Sequence, residues 1–203
     1  MTEPHPRVGE QRPGGRATRV RTAVLEATSE LLVEVGYDQF TVDEVAARAG
    51  VHKTTIYRRW PTKAELIADA VRVHSAENVP IPDTGHLQGD LQALARSVVA
   101  NIGSEGGSRR SRSIVAAAAH SEELTESMQA FWAERLALSV PVIERAIERG
   151  DLPSNTDTNL IIEAVIGPIW VRLLLTGEPI DADLADRVAE LVTAGATHPR
   201  RPG

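Results

Sequence analysis

Cysteine is absent from the 203-residue chain, and the aromatic residues are only three tryptophans, two tyrosines and two phenylalanines. Without cysteine the chain can form no disulfide framework, thiolate metal site or cysteine nucleophile. The opening stretch, MTEPHPRVGEQRPGG, carries acids, prolines and glycines where a secretory signal would need a basic region followed by an apolar run. We therefore expect a cytoplasmic protein.

Signatures of catalysis are also missing from the sequence. We find no nucleophile elbow and no HExxH motif, and GSEGGS at 103–108 lacks the lysine and the strand of a phosphate-binding loop. HSEE at 120–123 places carboxylates after a histidine, but no second histidine lies nearby to complete a metal site. The sequence predicts a protein that is not an enzyme and that has no metal and no cofactor.

Positive charge is scarce and unevenly placed. The net charge is −6, yet residues 1–63 hold ten Lys and Arg against eight Asp and Glu, whereas residues 64–203 hold twelve against twenty. Both lysines of the chain lie in the stretch VHKTTIYRRWPTK at 51–63. Because phosphate contacts depend on local charge, this distribution indicates a mildly basic module joined to an acidic one.

Apolar residues recur with helical spacing almost throughout, and no alternating strand pattern is present. The sequence therefore predicts an all-α fold of about nine helices. The predicted helices span residues 17–35, 42–49, 53–60, 63–77, 87–103, 111–120, 121–150, 156–176 and 181–195. Capping boxes in TVDE (41–44) and TKAE (62–65) mark two of the starts, and GSEGGS, GDLPSNTD and TGEPI are interpreted as separators.

Three regions follow from these patterns. Residues 1–16 are rich in proline, glycine and arginine and predict a disordered basic arm. Residues 17–79 form a small helical domain that includes the connecting helix 63–77. The segment NVPIPDTGH reads as a linker, so a larger helical domain is placed at 80–203.

Two short helices joined at Gly50 have the pattern of a helix-turn-helix. In the second helix Ile56 and Trp60 are four residues apart and are expected to face the core. Thr54, Tyr57 and Arg58 share another face, where hydroxyls and cations can meet phosphates and base edges. A merely solvated charged face is the alternative interpretation.

The stretch TVDEVAARAGVHKTTIYRRWPTKAELIADAV at 41–71 strongly resembles the TetR family of bacterial transcriptional regulators. DTGHLQGDLQAL and IGPIWVRLLLTGEPI extend a weaker resemblance into the ligand-binding and dimerisation part of that family. The resemblance implies a homodimer that lays one short helix per subunit in the major groove of a pseudo-palindromic double-stranded DNA operator. The positions matching DNA contacts of the family are Thr41, Lys53, Thr54, Thr55, Tyr57, Arg59 and Lys63; Arg58 is added from its place on the exposed face.

Two features near this motif stay open. His52 stands where the family often has a small residue, and it either contacts DNA or caps the helix. Arg7, Arg12, Arg16 and Arg19 either follow the DNA backbone, as basic arms do, or contribute nothing.

The segment LIIEAVIGPIWVRLLL at 160–175 is almost wholly apolar, but it is short and contains Glu163, Pro168 and Arg172, so no membrane insertion is expected. A helix that is apolar all round must be covered all round. We expect a second subunit to cover it, in a homodimer formed through helices 156–176 and 181–195.

An effector site is expected in the acidic half, lined mostly by aliphatic side chains with a few orienting groups. Glu163 and Trp170 share one helical face and are candidate contacts for an unidentified small molecule, together with His120, Trp132 and Arg135. Alternatively, Trp170 fills the dimer interface and Glu163 pairs with an arginine. The leading hypothesis is a repressor released from its operator by this ligand; the alternative is a helical carrier or enzyme whose small module serves only assembly.

Overall fold

The computed structural model describes residues 14–197, and within that range every regular element is helical. The helices are α1 (Gly14–Glu34), α2 (Val42–Ala49), α3 (Lys53–Tyr57), α4 (Lys63–Asn78), α5 (Leu87–Gly103), α6 (Glu105–Ala118), α7 (Glu122–Arg149), α8 (Thr158–Val171) and α9 (Ala182–Thr197), with a π-helical turn at Arg172–Thr176. The predicted all-α class is therefore confirmed.

Two predicted boundaries differ from the structure. Helix α1 begins at Gly14, so the last three residues assigned to the basic arm are helical, while the rest of that arm, including Arg7 and Arg12, lies outside the described residues. Helix α3 ends at Tyr57 rather than at Trp60. Pro61 disfavours the helical conformation at Trp60, and Arg58 and Arg59 already form a turn after the helix.

GSEGGS does separate α5 from α6, but the break is confined to Ser104, and residues 105–108, predicted as part of the separator, are helical. Ser104 caps α6, its hydroxyl accepting from the amide of Gly107 at 3.1 Å, and the helix runs on from there. A side chain on Gly107 would bring its Cβ to 1.9 Å from the carbonyl oxygen of Asn101. Glycine is required here because α5 and α6 approach each other closely, rather than because the chain is flexible.

Two apolar cores divide the molecule. The first joins α1–α4 to α6 and to the first half of α7, through residues such as Leu32, Ile67, Ile114 and Phe131. The second lies among α5, the second half of α7, α8 and α9. Helix α7 belongs to both cores and therefore connects the helix-turn-helix mechanically to the rest of the chain.

One carboxylate ties three parts of the first core together. Asp69 of α4 accepts from Arg21 of α1 at 2.7 Å and from the indole Nε1 of Trp60 at 3.0 Å. A bidentate pair between Arg48 of α2 and Glu34 of α1, with both distances 2.7 Å, adds a second connection. These contacts fix the helix-turn-helix on α1 and α4.

The apolar helix that ends at the π-helical turn is poorly covered. Within the described range, Thr158–Thr176 is the one helix long and apolar enough to cross a membrane, and only 22% of its apolar window is buried. Its exposed side chains include Leu160, Val171, Leu174 and Leu175, and Leu191 of α9 is exposed as well. Surface of this kind marks a contact with another molecule.

Candidate nucleic-acid interface and effector cavity

The turn between α2 and α3 has the geometry that its sequence predicts. Thr41 and Glu44 form a complete capping box at the start of α2. Gly50 ends the helix in the left-handed conformation, with φ 65°, and its amide donates to Ala47 while the amide of Val51 donates to Ala46. This is a Schellman motif, which satisfies the last carbonyls of α2 and redirects the chain sharply.

The second helix is anchored by its inner side chains. Ile56 and Trp60 are both almost fully buried, which confirms their predicted place in the core. The amides of Arg59 and Trp60 both donate to the carbonyl of Ile56 at 2.9 Å, so the three residues after α3 form a compact turn. The opposite side of α3 consequently faces outward in a fixed orientation.

That outward side forms one surface, which we call the reading surface. Its members are the exposed residues His52, Lys53, Thr54, Tyr57, Arg58 and Arg59. Tyr57 is 47% exposed although tyrosine usually buries its ring, and Arg58 has no recorded ion pair among the described residues. Thr55 is half-buried and turns towards α1. The surface offers cations, hydroxyls and an aromatic ring, the groups that contact DNA phosphates and bases.

Two members of the reading surface are held by neighbours. The ammonium of Lys53 lies 3.2 Å from the carboxylate of Asp43, and both side chains are exposed. Such a pair is worth about 0–1 kcal/mol, so it is easily exchanged for a phosphate. The guanidinium of Arg59 lies 5.4 Å from the centre of the Trp60 ring, which limits its orientations.

Thr41 and Lys63, both predicted to contact phosphate, are occupied within the protein. The Thr41 hydroxyl lies 3.1 Å from the Glu44 carboxylate that completes its capping box. The Lys63 ammonium donates to the carbonyls of Tyr37 and Phe40 and lies 4.3 and 4.5 Å from the centres of their rings. Burial lowers the pKa of Lys63. Lys63 thus supports the connection between α1 and α2, and its phosphate contact stays a prediction.

The structure also describes three residues whose contact with DNA the sequence left undecided. His52 is the N-cap residue of α3, and its side chain makes no capping hydrogen bond. Arg16 and Arg19 are exposed on α1, where the Nε of Arg19 donates to the carbonyl of Gly15 at 3.1 Å. These cations are accessible, and their contact with DNA stays a prediction.

A cavity lies between the two cores, walled by α4, α5, α6, α7 and α8. About 190 Å³ of it is open to water-sized molecules. Three of the predicted effector contacts, Trp132, Arg135 and Trp170, are brought together in its wall. His120 and Glu163 are exposed and do not line it. Trp132 packs edge-on against Trp170, with ring centres 5.4 Å apart.

Several polar residues of the cavity were not predicted from the sequence, and three of them form one cluster. They are His74 of α4, Asn101 of α5 and Arg110 of α6, which meet at one oxygen: the Asn101 Oδ1 lies 2.7 Å from His74 Nε2 and 3.1 Å from Arg110 Nη2. Of the three, only the burial of Arg110 could have been predicted from the sequence. Arg110 precedes the buried Ile114 and Ala117 by four and seven residues and so shares their helical face.

His74 makes stability depend on pH. Burial, and secondarily the nearby Arg110 charge, lower the pKa of His74 below its ordinary value of 6.5. A lowered pKa means that the unfolded chain binds the proton more readily, so the contribution of His74 to stability is present above pH 6.5 and is lost as the pH falls through the lower, folded-state value.

We expect the free energy of unfolding to decrease more steeply on acidification below pH 6.5 in the wild type than in His74→Gln. The difference in slope is at most about 1.4 kcal/mol per pH unit, the limit for one proton. Urea unfolding between pH 5 and pH 8 measures it, with the exposed His120→Gln as the matched control. Equal slopes for all three proteins would contradict the expectation.

An exposed second helix after a tight glycine turn, mounted on a helical body with a cavity, is the arrangement of a helix-turn-helix DNA-binding protein with a second helical domain. Family models match both parts: "Bacterial regulatory proteins, tetR family" over residues 24–70 and "Tetracyclin repressor-like, C-terminal domain" over residues 81–192. The chain belongs to the TetR family and is a TetR-type transcriptional regulator.

Named relatives agree with this assignment. The chain is 33% identical to the HTH-type transcriptional regulator AqdR of Rhodococcus erythropolis over 185 residues, which is 91% of this chain and 89% of that protein. It is also 33% identical to the DNA-binding transcriptional repressor TetR of Mycobacteroides abscessus, over 83% of this chain and 88% of the relative.

Solved structures agree with the fold. The TetR family transcription regulator SCO0332 superposes with a TM-score of 0.75 at 30% identity, covering 87% of this chain and 98% of that one. Salmonella enterica GusR superposes with a TM-score of 0.69 at 15% identity, covering 94% and 99%, and supports the fold alone.

Proposed function

We propose that the protein is a homodimeric repressor that a small molecule, bound in the cavity between the two cores, releases from a pseudo-palindromic operator. The observation that carries the proposal is the position of α4, which takes part in both sites. Its first residue, Lys63, supports the connection into the helix-turn-helix, and its later residues Val71, His74 and Ser75 line the cavity. A ligand that displaces these residues therefore acts on α4, whose Asp69 accepts a hydrogen bond from Trp60 directly after the reading surface.

Ligand binding can release DNA only if the ligand has different affinities for two conformations of the protein. A ligand that binds both equally shifts no population, and changing a 99:1 ratio to 1:99 takes a preference of about 5.5 kcal/mol. An apolar wall and a few polar groups can provide this preference if the cavity changes shape with the tilt of α4. Repressor function is supported by the Mycobacteroides abscessus relative, which is a DNA-binding transcriptional repressor.

Dimerisation is supported by the uncovered surface of α8, the π-helical turn and α9. Leu175 is 80% exposed and Leu191 is 73% exposed, and Leu160 and Leu174 also face solvent. A two-fold dimer uses each exposed side chain twice, so a small set of leucines builds a continuous apolar contact. The two reading surfaces would then meet successive major grooves of one duplex.

The test of ligand control is release of bound DNA. A duplex recovered by the protein from random-sequence DNA is bound in a gel-shift assay and titrated with a panel of small apolar acids, amides and amines. We expect at least one class to weaken binding tenfold or more, and Trp170→Ala, which opens the cavity wall, to change its effective concentration. DNA binding that no member of the panel alters at saturating concentration would contradict ligand control while leaving DNA binding intact.

A further inference from the structure

Two cations line the cavity without an acidic partner. The Arg110 side chain belongs to a residue that is only 8% exposed, and Arg135 is half-buried. Every residue that lines the cavity lies within the described range, and none of them is aspartate or glutamate. Burial lowers the pKa of both arginines, yet a guanidinium remains charged in proteins. The cavity wall therefore carries two positive charges and no negative one.

Elsewhere the chain pairs its sheltered arginines with carboxylates. Arg21 contacts Asp69 at 2.7 Å, Arg145 contacts Asp83 at 3.4 Å and Arg149 contacts Asp90 at 3.7 Å. A buried charge is costly unless it is paired and hydrogen-bonded. Arg110 and Arg135 instead donate to neutral oxygens, those of Asn101 and of the Val79 carbonyl. Their counter-charge is missing from the cavity wall.

The polar end of the cavity consists of donors. Arg110 can only donate, so the Asn101 atom it contacts is the amide oxygen, and His74 Nε2 at 2.7 Å from the same oxygen must carry a proton. His74 Nδ1 then accepts from the Asn78 side chain at 3.4 Å. One of the five N–H groups of Arg110 has a recorded partner among the described residues. The other N–H groups have no hydrogen-bond partner among the described residues, and Arg110 is one of the residues that line the cavity.

The other walls are mostly apolar and partly aromatic, with Ser75, Ser111 and Ser139 as their polar residues. Phe131 packs edge-on against Trp132 with ring centres 5.2 Å apart, and Trp132 packs similarly against Trp170. Ile162 and Ile166 of α8 complete this side. Aromatic edges and aliphatic groups favour a compact apolar body, since they offer it no hydrogen bonds.

We propose that the effector is a compact apolar carboxylate whose carboxylate group is bound by Arg110, with Arg135 as a second cation of the same cavity. The inference rests on the proposed function in that it takes this cavity as the effector site. A planar guanidinium matches a carboxylate with two parallel hydrogen bonds, and the pair neutralises a buried charge that the protein leaves uncompensated. Binding an amine here would add a third positive charge to the same cavity.

The test compares ligands of one shape and different charge. The folded full-length protein is titrated calorimetrically with 2-naphthoate, 2-naphthamide and 2-naphthylmethylamine, and with octanoate, octanamide and octylamine. We expect the acid of at least one series to bind ten or more times as tightly as its amide, and the amines not to bind. Amides that bind as well as their acids in both series, or acids that do not bind in either, would overturn the proposal.

Substitutions test whether Arg110 produces the preference for the acid over the amide. Arg110→Gln should reduce the acid-to-amide ratio to about one, whereas Arg109→Gln, which removes the exposed neighbour on the same helix, should leave it unchanged. Circular dichroism verifies folding, and if Arg110→Gln is unfolded, Arg135→Gln takes its place and should lower the ratio severalfold. If a folded Arg110→Gln protein keeps the wild-type ratio of acid to amide affinity, the assignment of the carboxylate contact to Arg110 is wrong.

The two proposals can fail separately. Acids that bind with the expected preference but do not release DNA leave the charge inference standing and contradict ligand control. Neutral amides that release DNA when acids do not would contradict the charge inference and leave ligand control standing.

Discussion

Replacing Lys53 and Tyr57 together by alanine is expected to weaken operator binding at least about 30-fold. Both side chains are exposed on the reading surface, and their loss removes a cation and an aromatic hydroxyl without touching Ile56 or Trp60, which anchor α3 in the core. Single contacts to bases or phosphates are worth about 1–3 kcal/mol, so two of them account for about 2 kcal/mol or more. The Lys53–Asp43 pair that is also lost is exposed and contributes little to stability.

The salt dependence of DNA binding is a second measurement on the Lys53→Ala/Tyr57→Ala protein. A protein that loses one phosphate contact shows a less steep decrease of affinity with salt, by about one unit in the logarithmic slope. Fluorescence anisotropy with a duplex recovered from random-sequence DNA measures affinity and slope together. Arg112→Ala removes an exposed cation from α6 and is the matched control, with no expected change. Unchanged affinity in a folded Lys53→Ala/Tyr57→Ala protein would exclude α3 as the element that reads DNA.

Lys63 is unsuitable for this test although the sequence assigns it a phosphate contact. Its ammonium holds two carbonyls in the connection between α1 and α2. Leaving buried acceptors without a donor costs about 1–3 kcal/mol, so Lys63→Ala would lower stability and DNA affinity together. A loss of binding in that variant would not show which of the two effects caused it.

The second large effect is expected from introducing charge on the uncovered apolar surface. Leu175→Asp together with Leu191→Asp should convert the proposed dimer to a monomer, because full burial of one leucine is worth about 1.5–3 kcal/mol and a two-fold interface contains each position twice. Both side chains are mostly exposed in one subunit, so the fold of the monomer should be preserved. Sedimentation velocity measures the mass, and circular dichroism verifies the helical content.

A monomeric variant should also lose most of its operator affinity, since one subunit can hold only one half-site. Leu138→Asp, at an exposed leucine of α7, is the control and should remain dimeric. If Leu138→Asp dissociates and the Leu175 and Leu191 double variant does not, the interface lies elsewhere and the proposed dimer is wrong.

Local sequence signals predicted the DNA-binding region well. Thr41 and Gly50 act through their own backbone and near neighbours, so the capped α2 and the tight turn follow directly from residue chemistry, whereas the end of α3 at Tyr57 was not predicted. The spacing of Ile56 and Trp60 then determined which side of α3 is buried. The same reasoning could not detect the hydrogen bonds of Lys63, because Tyr37 lies 26 residues away in sequence.

The cluster of polar residues in the cavity could not be predicted, because the cavity forms through packing between helices that are distant in sequence. His74, Asn101 and Arg110 lie on three helices and meet only because α4, α5 and α6 converge. Glu163 was selected for its helical face shared with Trp170, yet it faces solvent while Trp170 lines the cavity. The length of the GSEGGS separator was overestimated for a related reason: the spacing of α5 and α6 requires glycine at position 107, and that requirement is visible only after the helices are placed.

Selection from random-sequence DNA tests the central claim most directly. The full-length protein is incubated with a pool of random duplexes, and the bound fraction is amplified and sequenced over several rounds. If two identical reading surfaces contact one duplex, the recovered sequences contain two inverted half-sites with centres about one helical turn, or a multiple of it, apart. Enrichment of a single half-site, or no enrichment relative to the Lys53→Ala/Tyr57→Ala protein, would contradict the account of a dimer that reads DNA through α3.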